Sequence, residues 1–300
     1  MKNLYLITVI FLLSSCQTLS SIQETLGFVE EDPNAPVKLD ENYESFLDIS
    51  WQKKIEKPLL DLSFFGENIE SNIFFDINAG TIYNLNEKQL ELIDADTGQL
   101  SEVFELETDR IISGVSVGYN SFFYVDADGI VYAHDANSGD LKWKKELEDV
   151  VLSKILITST QAFLQTSSDV LYGMDLQTGE TKWQKQAQAP LLSIRGTASP
   201  IIYEGLIFTS FSNGRLAAVR AVDGIQLWEK PISRLKGSTE LEKLMDGDSN
   251  AITINEEVFV ANYNGSLTRF NIRSGDKVFS VDHSTSKPIL FNKVKILSIN

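Results

Sequence analysis

Residues 131–143 (VYAHDANSGDLKW) and residues 171–183 (LYGMDLQTGETKW) follow one pattern. In each, a partly alternating apolar run leads into a polar turn that ends on glycine, and a tryptophan follows four positions later. Glycine suits the end of such a turn because, without a Cβ, it adopts a positive φ at no steric cost. Each stretch therefore predicts a β-hairpin with the tryptophan on its second strand.

The chain contains three further copies of this pattern. They are residues 90–98 (LELIDADTG), 216–228 (LAAVRAVDGIQLW) and 267–279 (LTRFNIRSGDKVF). The five turn glycines are Gly98, Gly139, Gly179, Gly224 and Gly275. Their spacing of about 40 to 50 residues, with further short apolar runs between the copies, gives about four strands per period. We therefore predict an all-β fold, a β-propeller of four-stranded antiparallel blades.

The same periodicity gives the limits of the blades. Five blades are predicted at residues 58–107, 108–147, 148–187, 188–232 and 250–282, and a partial sixth begins at Pro288. The aromatic residue after each turn is expected to pack between neighbouring blades. The first copy departs from the pattern because Glu102 occupies the aromatic position and Phe104 lies two residues further on. The sequence around Trp51 resembles an outer strand without the rest of its blade. This is expected if an N-terminal strand completes the last blade and closes the ring.

Composition excludes several classes of function. The 300 residues include 26 basic and 42 acidic side chains, a net charge of −16, which disfavours a nucleic-acid partner. One cysteine allows neither an internal disulfide nor a cysteine-based metal site. The two histidines, His134 and His283, are far apart and lack a recognisable nucleophile, so we interpret both as surface or packing residues. A non-enzymatic binding or scaffolding role is favoured, with no cofactor and no metal.

The N-terminus has the pattern of an exported lipoprotein. The apolar run at residues 4–13 (LYLITVIFLL) is too short to span a bilayer and indicates a secretory signal. The LSSC sequence that ends at Cys16 resembles a lipobox, which implies that this cysteine is acylated; an ordinary signal peptide with a coincidental cysteine is the alternative. Gln17, in place of aspartate, implies sorting to the outer membrane, facing the periplasm. The predicted domains are a signal peptide (1–15), an acylated cysteine with a flexible tether (16–44) and the propeller (45–300).

The five copies resemble the PQQ-type propeller repeat, and three other stretches resemble one particular family of such propellers. Residues 192–200 (LSIRGTASP), 213–218 (NGRLAA) and 237–248 (GSTELEKLMDGD) resemble the BamB family, propeller lipoproteins of the outer-membrane β-barrel assembly machinery. Propellers of that family have eight blades. The resemblance therefore implies that five blades and a partial sixth form an open arc, truncated at the C-terminus.

The resemblance also implies a function and a site. Members bind the periplasmic (POTRA) domains of BamA and assist the insertion of unfolded outer-membrane proteins. The matching residues are Leu192, Ile194 and Arg195 in a first loop and Asp246 and Asp248 in a second. Isoleucine at 194, where the family usually has leucine, keeps the apolar contact. The alternative is that Arg195 and the two aspartates only hold the loops together.

Other interpretations of the same residues are less favoured. Asp246 and Glu257 have the end-to-end spacing of a calcium-binding EF-hand loop, but Ala251 stands where that loop needs glycine and the flanks are typical of strands. Asp126, Asp128 and Gly129 are interpreted as a turn. A PQQ-binding quinoprotein oxidoreductase would use an adjacent cysteine pair, which a single cysteine cannot form. A generic periplasmic propeller adaptor with another partner remains an alternative.

Overall fold

A computed structural model describes residues 50–52, 75–86, 88–188, 198–234, 249–285, 289–291 and 296–297. Every regular element in these ranges is a β-strand, and the strands form five four-stranded antiparallel sheets and one hairpin. The first sheet contains β1 (Phe75–Asn78), β2 (Thr81–Asn86), β3 (Gln89–Asp94) and β4 (Leu100–Glu105). The second contains β5 (Ser116–Gly118), β6 (Ser121–Val125), β7 (Ile130–Asp135) and β8 (Leu141–Glu146).

The remaining sheets repeat this order along the chain. The third contains β9 (Leu156–Ile157), β10 (Gln161–Gln165), β11 (Val170–Asp175) and β12 (Thr181–Gln186). The fourth contains β13 (Ile201–Tyr203), β14 (Leu206–Phe211), β15 (Arg215–Arg220) and β16 (Gln226–Pro231). The fifth contains β17 (Ile252–Ile254), β18 (Glu257–Val260), β19 (Ser266–Asn271) and β20 (Lys277–Asp282). The hairpin contains β21 (Leu290–Phe291) and β22 (Ile296–Leu297).

This architecture confirms the predicted propeller of four-stranded blades. Each of the five predicted blades contains one sheet, and the β21–β22 hairpin lies where the partial sixth blade was predicted. Among the described residues, this hairpin pairs with no strand of the first sheet, as expected for an open arc.

The hydrophobic core lies between neighbouring sheets. Four buried clusters join the first sheet to the second, the second to the third, the third to the fourth and the fourth to the fifth. Phe122 and Phe123, neighbours on β6, enter different clusters because successive side chains of a strand point to opposite faces. Both are fully buried. Each sheet with neighbours on both sides is therefore apolar on both faces, as blade stacking requires.

Aromatic side chains on the outer strands join each blade to the next. The indole Nε1 groups of Trp143, Trp183 and Trp228 donate to the carbonyls of Leu176, Ala221 and Ile272 at 3.0, 2.9 and 2.8 Å. Each carbonyl belongs to the turn that precedes the outer strand of the following blade. The ring lies directly over the glycine of that turn, so a Cβ on Gly179, Gly224 or Gly275 would come within 2.6 Å of it. These glycines are thus required both for a positive φ and for the space that the ring fills.

Two aromatic residues reach this arrangement differently. Phe104 takes the place that the repeat assigns to residue 102: its ring covers Gly139, as Trp143 covers Gly179. Trp51 covers Gly98 and donates from Nε1 to the carbonyl of Ala95 at 2.9 Å, although residues 50–52 lie outside the strands. Trp51 therefore packs as an outer-strand aromatic residue does. That Trp51 belongs to an N-terminal strand which would complete a last blade stays a prediction.

Candidate partner-binding surface

The two ends of the sheets carry different kinds of chain segment. Because each sheet is an antiparallel meander, the turns between its first and second strands and between its third and fourth strands lie at one end, here called the turn end. The opposite end, here called the connection end, carries the turns between second and third strands and the segments that lead to the next sheet. The connections at residues 187–200 and 232–251 are longer than those at 106–115 and 147–155.

The five predicted partner-binding residues belong to these two longer connections. Leu192, Ile194 and Arg195 fall in the first, and Asp246 and Asp248 in the second. All five lie outside the described residues, as does Cys16. The structure does describe the residues at which both connections begin and end.

Backbone hydrogen bonds fix where the two connections begin. The amide of Ala187 donates to the carbonyl of Asp169 at 3.0 Å, and the amide of Ile232 donates to the carbonyl of Gly214 at 3.0 Å. Asp169 and Gly214 end the corresponding turns, between second and third strands, of the third and fourth sheets. Each connection therefore starts from the same position of its own blade.

A side-chain hydrogen bond joins the two connections near their ends. The amide of Ser199, in the first connection, donates to Oδ1 of Asn250, in the second, at 2.7 Å. The hydroxyl of Ser199 also accepts from the amide of Lys154 at 3.1 Å, which links the same point to the preceding connection. The hydroxyl of Ser210 donates to the carbonyl of Ser249 at 3.2 Å. Three successive connections are thus held in contact at this end of the sheets.

The carboxylate of Asp169 joins the third and fourth blades at the start of the two connections. Oδ1 accepts from the amide of Ser212 at 3.0 Å and from Nε2 of Gln165 at 3.2 Å, and Oδ2 accepts from the hydroxyl of Ser212. Burial raises the pKa of Asp169, and these hydrogen bonds oppose the rise. Sequence reasoning missed this residue. The sequence does contain one signal: Asp169 occupies the turn position at which the second and fourth blades have Gly129 and Gly214.

Asp149 makes a second such link at the connection end. Its carboxylate accepts from the amide of Val150 at 2.8 Å, from the hydroxyl of Ser167 at 2.7 Å and from the amide of Ser168 at 2.7 Å. Burial by itself would raise the pKa of Asp149, but these donors hold it below its ordinary value. The connection at 147–155 is thereby tied to the turn of the third blade.

The acidic residues considered as metal ligands, where the structure describes them, form hydrogen bonds and ion pairs within the protein. Asp126 closes a turn, as predicted: its Oδ1 accepts from the amides of Asp128 and Ile130 at 3.0 and 2.9 Å. Glu257, the last residue of the EF-hand spacing, lies in β18, and its Oε2 is 3.3 Å from Nη1 of Arg269. Within the residues that the structure describes, no group of three or more His, Cys, Asp or Glu side chains could hold a metal ion.

His134 packs within the core between the first two blades. It is 1% exposed and stacks on Phe122, with ring centroids 4.7 Å apart. Its Nδ1 lies 2.9 Å from the carbonyl of Gly139, and its Nε2 lies 3.1 Å from Oε2 of Glu107 and 3.2 Å from the hydroxyl of Tyr124. This environment agrees with the interpretation of His134 as a packing residue.

Four-stranded blades, repeated glycine turns and aromatic residues on the outer strands define a propeller of PQQ-type repeats. The profile of the family described as "Outer membrane protein assembly factor BamB" matches residues 86–295. The chain therefore belongs to this family. In the described part of the chain, no helix is long and apolar enough to cross a membrane.

Curated relatives are similar over part of their length. The BamB proteins of Escherichia coli (strain K12) and Salmonella typhimurium are 37% identical over 172 residues and 32% identical over 208 residues. These alignments cover 57% and 69% of this chain and 44% and 53% of the relatives. The BamB protein of Yersinia pestis is 30% identical over 196 residues, 62% of this chain and 50% of that protein. The chain thus spans about half the length of the curated relatives it matches.

Solved structures share the fold. The crystal structure of BamB from Moraxella catarrhalis has a TM-score of 0.66 at 23% identity, covering 72% of this chain and 65% of that one. A europium-containing methanol dehydrogenase has a TM-score of 0.54 at 14% identity, covering 69% of this chain and 50% of that one. At these identities the likeness concerns the arrangement of the blades and carries no statement about activity.

Proposed function

We propose that this chain acts as a non-enzymatic scaffold in outer-membrane protein assembly and that it binds the periplasmic domains of BamA through connections 187–200 and 232–251. Membership of a family described as outer membrane protein assembly factors supports the role. The hydrogen bond between Ser199 and Asn250 supports this choice of surface, because it joins the two connections at one end of the sheets.

The five predicted residues supply suitable chemistry for such a surface. Leu192 and Ile194 provide apolar side chains that a partner can desolvate, which is how central contacts of interfaces gain affinity. Arg195 can form a bidentate pair with a carboxylate, and Asp246 and Asp248 offer the complementary charge. Complementary charges beside apolar contacts favour specific over indiscriminate association.

The proposed location follows from the N-terminus. Acylation of Cys16 would anchor the chain to the outer membrane on its periplasmic face, and more than one acyl chain makes such an anchor stable. If residues 16–44 form the predicted tether, a flexible segment of about thirty residues would reach roughly 30 Å, enough to hold the propeller away from the lipid surface. The substrates whose insertion it assists are unfolded outer-membrane proteins.

Binding to purified periplasmic domains of BamA tests the proposal. We expect Arg195→Ala, and separately Asp246→Ala combined with Asp248→Ala, to weaken binding roughly tenfold, as loss of a central charged contact does. Arg110→Ala is the control, because Arg110 pairs at 2.7 Å with Asp128 at an exposed site on the second blade. Unaltered affinity of both loop variants would contradict the proposed surface. Stoichiometric binding of PQQ would instead favour a quinoprotein.

A further inference from the structure

Asp169 has a positive φ, a backbone conformation that glycine adopts most easily. It ends the turn between β10 and β11 with φ of 61°, in the left-handed region that side chains disfavour. The second and fourth blades have Gly129 and Gly214 at this corner, with φ of 81° and 70°. Aspartate tolerates the left-handed region better than most residues, but glycine occupies it without cost. Turn formation alone therefore does not require a side chain at residue 169.

The side chain is used between blades. Asp169 is 2% exposed, and its carboxylate reaches the turn of the fourth blade, where it accepts from both the amide and the hydroxyl of Ser212. The third donor, Gln165, comes from its own blade and also donates to the carbonyl of Ser210 at 3.1 Å. A buried carboxylate is costly without such donors, so the arrangement is stable only while the two turns stay in register.

These two turns are the points at which connections 187–200 and 232–251 begin. The carbonyl of Asp169 accepts from Ala187, and the carbonyl of Gly214, two residues after Ser212, accepts from Ile232. Asn213, between Ser212 and Gly214, donates from Nδ2 to the carbonyl of Gln188 at 3.0 Å. A shift of one turn against the other would therefore move the start of one connection relative to the other.

We propose that Asp169 is a positioning residue for the partner-binding surface, because its carboxylate fixes the starts of the two connections relative to each other through Ser212. This inference rests on the proposed function and extends it to a residue outside the loops that contact the partner. Ser199 and Asn250 fix the connections near their other ends. The surface is thus held at both ends by hydrogen bonds between connections or between the turns from which they start.

Three variants of the full chain test this role. Asp169→Gly removes the carboxylate but installs the residue that the neighbouring blades use at the corner, so the turn is expected to form. Asp169→Asn keeps one acceptor oxygen, and Ser212→Ala removes the hydroxyl donor. Tyr124→Phe is the matched control, because it deletes another interblade hydrogen bond, at 2.7 Å to Glu107, at the junction of the first two blades.

Two measurements are made on each variant: amide hydrogen exchange, and affinity for the periplasmic domains of BamA. We expect Asp169→Gly to speed exchange at Ala187 and Ser212 and to weaken binding roughly fivefold, with Asp169→Asn intermediate. Combining Asp169→Asn with Ser212→Ala should weaken binding no more than the stronger single variant, because both act through one contact. Tyr124→Phe should leave affinity unchanged even if it lowers the melting temperature as much as Asp169→Gly does.

Opposite outcomes separate the two proposals. Affinity that is unchanged in Asp169→Gly and Asp169→Asn, or losses that are additive with Ser212→Ala, would overturn the positioning role. Exchange that stays slow at Ala187 and Ser212 would also overturn it. Failure of the unaltered chain to bind BamA domains would overturn the proposed function, and the exchange data would still decide whether Asp169 fixes the two turns.

Discussion

At the turn end, all five blades close their third and fourth strands in the same way, whereas at the connection end the segments between blades start from one repeated backbone bond but differ in length and in side-chain bonding. The repeated closure is a hydrogen bond from the turn glycine to the carbonyl four residues earlier, at 2.8 to 3.0 Å. At the connection end, Asp126 closes its own turn, Asp149 binds the next turn along the chain, and Asp169 binds the next blade. A repeated feature serves packing common to all blades, and a feature present once serves a local purpose.

This difference implies that substitutions at the two ends should affect different properties, stability at one end and partner affinity at the other. The turn end holds the aromatic contacts between blades, so changes there should lower the free energy of unfolding. The connection end holds the two connections of the proposed surface, so changes to those connections, or to the turns from which they start, should lower affinity for the partner. Substitutions at each end, measured for both properties, test this division.

The largest expected effect is on stability, from Gly179→Ala at the turn end. The new methyl group meets a positive φ of 71° and the ring of Trp143 at 2.6 Å, so we expect a loss of about 3 kcal/mol in the free energy of unfolding. Gly205→Ala is the control, since Gly205 has φ of 78° and open space around it, and should cost only about 1 kcal/mol. Urea denaturation measures both; equal losses would show that the ring contact contributes little.

A smaller effect is expected from Trp183→Phe. The change keeps an aromatic ring over Gly224 but removes the donor to the carbonyl of Ala221, so we expect a loss of about 2 kcal/mol. Leu141→Ala, at a side chain that is 41% exposed on the outer strand of the second blade, should change stability by less than about 1 kcal/mol. Thermal and urea denaturation of the two variants should rank them in this order, and the reverse order would contradict the role of the indole.

The difference between the two ends also explains what could be predicted from the sequence. The turn end was predictable because its chemistry is local: Asp175 and Gly179 lie within one turn, and their bond depends only on nearby residues. The pairing of Asp169 with Ser212, or of Ser199 with Asn250, joins residues more than forty positions apart and becomes evident only after the blades are stacked. Phe104 illustrates the same limit, because packing decided which residue covers Gly139.

At the connection end, Asn250→Ala should lower affinity as well as stability. It removes the acceptor of the Ser199 amide at 2.7 Å, which costs about 1 kcal/mol of stability, while affinity for BamA domains falls roughly threefold. Asn137→Ala is the matched control, at an exposed turn-end position, and should leave affinity unchanged. Calorimetric titration of both variants provides the measurement. Equal affinities would remove the distinction between the two ends.

The smallest expected effect is a pH-dependent change at the turn end, at Asp175. A hydrogen bond from Lys182, with an Nζ–Oδ2 distance of 3.0 Å, together with the amides of Gln177 and Thr178, lowers the pKa of Asp175 to about 2. Because the folded chain holds this proton less tightly than the unfolded chain, the carboxylate adds stability above about pH 4, and the contribution is lost as the pH falls towards 2. The melting temperature of Asp175→Asn should therefore lie below that of the unaltered chain at pH 6, and most of the gap should be lost by pH 2. Lys182→Gln should show part of the same gap, since the backbone donors remain, whereas a gap independent of pH would mean that the charge of Asp175 is not what stabilises the turn.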